Sequence, residues 1–354
     1  MMPEHSTACL PTSAFEYDLP AELIASRPAA ERDASRLLVL HRAGGRLEHR
    51  GFADLPAYLS PGDALALNDT RVFPARLLGR KPTGAAAEVL LIRPLPDDPS
   101  CRSWEALVRP GSKLKPGRTV DVADGLRVRI EDSLPGGGRR VTLEGDGDPW
   151  ELVERYGKVP LPPYIDRESD DEDRERYQTV YADRLGSIAA PTAGLHFTPG
   201  LLSRIERLGV RTVRLTLHVG VGTFRPVESE RPDGHVLQPE RFRVAPGAAA
   251  ELNAARTRGG RVWAVGTTTA RALETVADGD GRYHPGEGWT DLFIRPPHVF
   301  RGIDGLLTNF HLPRSSLLML VAAFGGIDEV LEAYAHAVRE RYRFYSYGDA
   351  MLIL

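Results

Sequence analysis

The chain of 354 residues has only two cysteines, Cys9 and Cys101. By themselves they cannot form a disulfide framework, a zinc site or an iron–sulfur cluster. Cluster-based radical chemistry is therefore disfavoured. Long apolar runs are missing too. The longest, Leu317–Phe324, is far too short to cross a bilayer. No basic segment followed by an apolar one opens the chain, so a secretory signal is not expected. There is no HExxH, no paired-histidine spacing, no Gly-x-Ser-x-Gly, no Walker lysine and no GxGxxG. These absences argue against a metal site, an acyl hydrolase and the nucleotide folds that carry those signatures. The expectation is a cytoplasmic protein with no metal and no membrane partner.

What is present is an ordinary globular composition, 42% hydrophobic and 26% charged, with a net charge of −3. That average hides a local excess. Ten basic residues lie between Arg71 and Arg118, against the four acids Glu88, Asp97, Asp98 and Glu105. Such a stretch can meet a polyanion, or it can be a solvated surface balanced by acids elsewhere, such as the run Glu168–Glu175.

Texture divides the chain. From Val72 to about Val153, short alternating runs (ARLLGRK, AEVLLIRPL, WEALVRPG, RTVDVADG, LRVRIEDS, RRVTLEG) are separated by Gly, Pro and Asp turns. That pattern predicts an antiparallel barrel or sandwich. PGGGRR at Pro135–Arg140 reads as a hairpin tip, because no helix follows it. On either side the pattern is α/β. Strands are expected at Arg36–His41, Asp63–Asn68, Thr212–His218, Arg261–Val265 and Gly305–Phe310. Helices are expected from Pro20, at Asp54–Leu59, Leu201–Leu208, Ala248–Arg258, Thr268–Val276, Ser315–Phe324 and Asp328–Arg341. The fold class is α/β plus all-β: an α/β domain of residues 1–71 and 154–354, with an antiparallel β-barrel domain, residues 72–153, inserted in it.

Three stretches carry candidate chemistry. Ala189–Val227 sets His196 and His218 beside Gly and Thr, which allow close backbone approach and offer short hydroxyls. Arg261–Glu274 is a strand, a Gly, three threonines and a helix, which can hold an anion on free N–H groups. A plain N-cap explains one threonine but not three. Gly305–Phe324 ends a strand with Asn309 and His311, where α/β sheets usually bind ligands; a turn and a packed histidine explain the same residues. The aromatic segment Tyr342–Leu352 suits core packing better than base stacking. His5, His41, His49, His284 and His336 sit in polar contexts and read as solvated.

The stretches LNDTRVFPARLLGRK, VPLPPYIDR, RYQTVYA, AAPTAGLHFT, LTLHVGVGTFRPV, AVGTTTARALE, LLTNFHLPRSSLLMLVAAF and RYRFYSYGDAM closely resemble the S-adenosylmethionine:tRNA ribosyltransferase-isomerases of queuosine biosynthesis. The resemblance spans nearly the whole chain. It implies an α/β domain with a β-barrel domain and an enzyme that uses S-adenosylmethionine as a ribosyl donor and co-substrate. The acceptor it implies is tRNA bearing 7-aminomethyl-7-deazaguanine at the wobble position. Epoxyqueuosine is formed, and adenine and methionine leave. The implied route starts with loss of a proton from the ribose 5′ carbon, acidified by the sulfonium. Such a step needs a positioned base. His196 and His218 are the first candidates and His311 the third. Substrate-binding candidates are Asp69, Arg71, Thr192, Gly194, Gly222, Thr223, Gly266, Thr267, Thr268, Thr269 and Asn309, with Gly266–Thr269 for the methionine carboxylate. Lys113, Lys115 and Arg118 are the candidate tRNA contacts.

The chain departs from the family pattern at His235-Val236-Leu237-Gln238-Pro239-Glu240, where relatives usually read His-x-Met-His-x-Glu. Gln238 stands where a second histidine is usual, and it cannot shuttle a proton at neutral pH. Ile294–Phe300 also differs from the usual Tyr-Pro-Gly form. Two other readings stay open: a relative with a different nucleoside acceptor, and a non-catalytic protein that binds RNA or an adenosyl ligand.

Overall fold

A computed structural model describes residues 10–224, 227 and 229–354. In chain order, β1 (Arg36–His41), β2 (Arg46–Gly51), β3 (Ala64–Asn68) and β4 (Thr70–Val72) come first. Then follow β5 (Arg76–Arg80), β6 (Ala86–Pro94), β7 (Ser103–Arg109), β8 (Thr119–Ala123), β9 (Leu126–Ser133) and β10 (Arg139–Glu144). Helices α1 (Pro149–Tyr156) and α2 (Asp171–Arg176) lead to β11 (Arg184–Ser187), α3 (Pro199–Arg207) and β12 (Arg211–Leu217). The remainder is β13 (Glu240–Val244), α4 (Pro246–Thr257), β14 (Val262–Val265), α5 (Thr267–Val276), β15 (Gly286–Thr290), β16 (Gly305–Asn309), α6 (Ser316–Gly325), α7 (Ile327–Arg339) and β17 (Ala350–Ile353).

Strands β5 to β10 close into a barrel in the order β10-β7-β6-β5-β8-β9. All six lie on the runs whose alternation marked them. Residues that alternate along β9 are buried and exposed in turn, so each strand turns one face to a single core. Trp104, Val120, Val128 and Val141 fill that core, and α1 adds Leu152 and Val153 to it.

The other strands form a nine-stranded sheet, β15-β13-β12-β3-β14-β16-β17-β1-β2, while β11 pairs with β4 in a small separate ladder. Strands β12, β3, β14 and β16 run parallel. Every residue of β3, β14 and β16 is buried, as expected of strands covered on both faces. One face packs α4 to α7 around Leu252, Leu273, Met319 and Tyr334. The other packs α3 around Phe52, Phe197, Leu201 and Trp263. Asp63 fixes the start of the parallel block, accepting hydrogen bonds from the Arg261 N–H (2.8 Å) and Trp263 Nε1 (2.9 Å). Because four neighbouring strands point one way, Asn68, Leu217, Val265 and Asn309 all end at one edge. That edge holds the site.

Some expectations need correction. The helix expected from Pro20 is one 3-10 turn, Ala21–Leu23. The one expected at Asp54–Leu59 is a 3-10 stretch, Phe52–Tyr58, with Pro56 inside it, where an α-helix would lose a hydrogen bond. Strands β2, β13, β15 and β17 had no assigned place in the sequence pattern, yet β17 sits inside the sheet between β16 and β1.

Candidate active site

At the C-terminal edge of the parallel strands lies a cavity of about 610 Å3, its mouth included. One wall is the start of α5. Gly266 precedes this helix at φ +90°, a backbone region that suits glycine. The three threonines after it have three fates. Thr269 Oγ1 donates to the Val265 carbonyl (2.6 Å), and Thr268 Oγ1 accepts from Asn68 Nδ2 (3.2 Å). Thr267 lines the cavity with no side-chain partner among the described residues. The first N–H groups of this ten-residue helix therefore meet the cavity beside a free hydroxyl, an arrangement suited to an anion.

The opposite wall is the end of β16. Thr192 Oγ1 donates to Asn309 Oδ1 (2.9 Å), and Asn309 Nδ2 donates to His196 Nε2 (3.2 Å). With Nε2 accepting, the ring proton of His196 sits on Nδ1 and is donated to Ser35 Oγ (2.7 Å). The ring stacks on Phe52, with centroids 4.9 Å apart. Burial, then Arg343 and Arg32, lowers the His196 pKa to about 3, so the ring is neutral. His196 stands behind Asn309 and does not line the cavity; it orients the amide that does. His311 lines the cavity itself. Its Nε2 is hydrogen-bonded to Thr308 Oγ1 (2.7 Å), its backbone N–H donates to Tyr334 Oη (3.1 Å), and burial lowers its pKa to about 3.

The sequence pattern placed Tyr345 in the core. It is 5% exposed but also lines the cavity, and its ring stacks on Tyr164 with centroids 4.2 Å apart. Its backbone lies at φ +71°, unusual for a residue with a side chain, and its buried hydroxyl has no partner among the described residues. A strained backbone and an unsatisfied hydroxyl make Tyr345 a candidate ligand-binding position. Its neighbours Tyr342, Phe344 and Tyr347 are buried.

His218 lies elsewhere. Val219 lines the cavity, but His218, one residue earlier, points across the sheet into an open cleft of about 780 Å3. Its Nδ1 is hydrogen-bonded to Thr70 Oγ1 (2.8 Å). A Cβ on Gly186 would stand 2.8 Å from the ring, so only glycine fits there. Burial, then Arg241, lowers its pKa to about 4. Asp69 is near this cleft. It accepts from Thr216 Oγ1 (2.6 Å), and burial raises its pKa. Arg71 is exposed on β4. The three candidate histidines thus occupy three surroundings, and His311 alone among them lines the cavity.

Of the other candidates, Gly194 faces away, packed where a Cβ would meet Tyr181 Oη at 2.1 Å. Gly222 lines a second, smaller cavity of about 350 Å3 with Gln238, Glu240 and Arg271; Leu317 borders both cavities. The side chain of Thr223, with Cys9 and His5, lies outside the described residues. Glu240 and Arg271, neither singled out for a role, form a buried ion pair. Glu240 Oε1 also accepts from the Gly220 N–H (2.8 Å), which ties β13 to the end of β12. A charged Arg271 inside the otherwise uncharged start of α5 was the available signal.

On the barrel, Lys113, Lys115 and Arg118 are exposed in the turn between β7 and β8, anchored by buried Leu114. None has an ion pair among the described residues. The basic stretch around them is less free than its composition. Arg76 and Arg93 pair with Glu88 and Glu105, and Arg102 is bonded to the carbonyls of Leu143, Gly145 and Gly147. Among the described residues, no group of three or more His, Cys, Asp or Glu could hold a metal, and no helix is long and apolar enough to cross a membrane.

The family model of the queuosine biosynthesis protein matches residues 12–353. An S-adenosylmethionine:tRNA ribosyltransferase-isomerase of Symbiobacterium thermophilum is 56% identical over 344 residues, covering 97% of this chain and 99% of the relative. The protein of the same name from Moorella thermoacetica is also 56% identical, covering 96% and 98%. A crystal structure of S-adenosylmethionine tRNA ribosyltransferase from Thermotoga maritima, 40% identical, matches with a TM-score of 0.55 over 97% of this chain and 100% of that one. With a family match across nearly every residue, the chain belongs to the queuosine biosynthesis family of S-adenosylmethionine:tRNA ribosyltransferase-isomerases.

Proposed function

We propose that this protein transfers and isomerises the ribosyl part of S-adenosylmethionine onto 7-aminomethyl-7-deazaguanine at the wobble position of tRNA, giving epoxyqueuosine, adenine and methionine. The observation that carries the reading is the cavity with a helix N-terminus on one wall and Asn309 with His311 on the other. Its lining, mostly apolar with a few converging polar groups, is that of a small-molecule site. Near-full-length relatives at 56% identity support this reading over a different acceptor or a non-catalytic binder.

In this reading the methionine carboxylate lies on the N–H groups of Gly266–Thr268, with Thr267 Oγ1 completing the cradle. Tyr164 and Tyr345 offer a flat aromatic wall for adenine, and the Tyr345 hydroxyl gains a partner from the ligand. His311, the one candidate histidine that lines the cavity, is the candidate base at the 5′ carbon. Asn309 meets the ligand as an amide fixed by Thr192 and His196. His196 is then a positioning residue. His218, Asp69 and Arg71 belong to the cleft side. We also take residues 72–153 as an inserted domain in a 1–71 and 154–354 frame, which is supported by the closure of six strands from one continuous stretch. Lys113, Lys115 and Arg118 are its tRNA contacts. A cytoplasmic location goes with a tRNA substrate, and S-adenosylmethionine is a co-substrate with no further cofactor.

The test is adenine and methionine release from S-adenosylmethionine, with tRNA carrying the aminomethyl-deazaguanine, with unmodified tRNA, and with the free nucleoside. Release only with the modified tRNA is expected. Turnover with the nucleoside alone points to another acceptor, and no turnover in any arm overturns the enzymatic reading.

A further inference from the structure

Beyond β12 the large sheet ends in β13 and β15, whose residues alternate between buried and exposed. Helices α4 and α5 cover one face of this end. The other face is open, and its side chains form a short grid. Thr216 pairs with Arg243, Arg243 with Glu287, and Arg241 with Trp289. Arg214 joins the row on β12, and Arg184 stands on the rim from β11.

The chemistry of this face is uneven. It carries four arginines (Arg184, Arg214, Arg241 and Arg243) against two exposed carboxylates, Asp183 and Glu287, in a chain whose net charge is −3. Arg214 has no ion pair among the described residues. Glu287 is shared between Arg241 (2.6 Å) and Arg243 (3.7 Å), so it balances one charge of two. Trp289 is 52% exposed, while Trp104 and Trp263 are buried. One side of its ring carries the Arg93 guanidinium of the barrel, 4.7 Å from the centroid. An open sheet face with guanidinium groups around a flat, half-exposed aromatic suits unpaired nucleotides, whose phosphates take the cations and whose bases stack.

The face also connects to the cavity. His218 opens on the cleft and Val219 on the cavity. Arg184 and Leu185 border the cleft, and the same segment runs on to Ala190–Thr192 in the cavity wall. A strand lying on the face would thus reach the two chain segments that frame the donor site.

We infer that this open β12–β13–β15 face docks single-stranded nucleotides of the substrate RNA, with Trp289 stacking a base and Arg214, Arg241 and Arg243 holding phosphates. The inference rests on the tRNA-modifying reading and names a surface for it that is separate from the Lys113–Arg118 turn.

The experiment measures binding of the modified tRNA over a series of salt concentrations, alongside calorimetric S-adenosylmethionine affinity. For the double variant Arg214→Gln/Arg243→Gln, tRNA affinity falls at least about tenfold. The slope of log affinity against log salt becomes shallower by about one to two, one for each phosphate no longer neutralised. Affinity for S-adenosylmethionine is unchanged, which also shows that the variant folds. Trp289→Ala weakens tRNA binding by about 5- to 100-fold, the range expected for a single base stack. RNA quenches the fluorescence of the wild type, and Trp289→Phe abolishes that quenching. Wild-type affinity, slope and quenching in these variants overturn the inference and leave the tRNA-modifying reading standing. A wild type that turns over S-adenosylmethionine but binds no tRNA overturns both.

Discussion

The cavity and the cleft meet at consecutive residues of one strand end, yet they are built from opposite materials. The cavity side of Val219 is enclosed. Its polar groups are neutral, and several are held by one another: Thr192 to Asn309, Asn309 to His196, Thr308 to His311. The cleft side of His218 is open and carries exposed charges, of which Arg184 pairs with Asp183 and Arg241 with Glu287 while Arg214 has no ion pair among the described residues. Enclosure makes an unpaired charge costly, so recognition there rests on fixed dipoles and a helix end. Exposure screens charge and lets it serve a polyanion. In the proposed reading, small donor and large acceptor meet these two different environments on either side of one strand end.

The largest expected effect tests which side performs the chemistry. His311→Ala lowers exchange of the 5′ hydrogens of S-adenosylmethionine by about 10²- to 10⁴-fold, the usual worth of a positioned acid or base. His196→Ala lowers it less, because Asn309 keeps Thr192. His218→Ala retains exchange and acts on tRNA-dependent turnover. Wild-type exchange in a folded His311→Ala, with loss in His218→Ala, would move the chemistry to the cleft.

Next comes the tie between the two sides. Glu240→Ala leaves Arg271 charged and buried, and denaturant unfolding should show a loss of about 3–5 kcal/mol. A loss under about 1 kcal/mol would mean that the pair is not what joins β13 to β12 and α5.

Acid weakens the fold next. His196, His218 and His311 have folded pKa values of about 3, 4 and 3 against an ordinary 6.5. Below pH 6.5 the unfolded chain takes up these protons first. The stability they contribute is therefore complete above 6.5 and is lost as pH falls toward 4 and 3. Each histidine costs roughly 1.4 kcal/mol per pH unit across its window. Unfolding midpoints at pH 7 and pH 5 measure the slope, and His311→Gln should flatten it. An unchanged midpoint would show that these rings are accessible to protons in the folded state.

The smallest effect separates two basic surfaces. Charge reversal at Lys113, Lys115 and Arg118 weakens tRNA binding by about tenfold at low salt and much less at about 0.2 M, as expected of exposed, screened contacts. S-adenosylmethionine affinity is unaffected. A variant with wild-type tRNA affinity at low salt removes that turn from the interface.

The barrel was legible because its strands are amphipathic: a period of two, broken by Gly, Pro and Asp, identifies a strand without knowledge of its neighbours. The large sheet was legible only at its centre, where β3, β14 and β16 are apolar throughout. Strand β2 is mostly polar, β15 contains two glycines, and β17 is four residues long; each becomes a strand through its partner rather than by propensity. Within the site, the start of α5 and the pair Asn309 and His311 stood out as polar residues at strand ends. Tyr345 did not, since neither its positive φ nor its lack of a partner is written in residue type.

Composition and local pattern thus determined the class of the protein, the barrel, the helix that opens on the cavity and the residues able to do chemistry. They could not decide which of those residues share a site. Along a strand, consecutive side chains point to opposite faces, so a shift of one residue separates His218 from the cavity that Val219 lines. Only the stacking of four parallel strands, which gathers residues far apart in the chain at one edge, brings Asn309, Thr192, Thr267 and Tyr345 together.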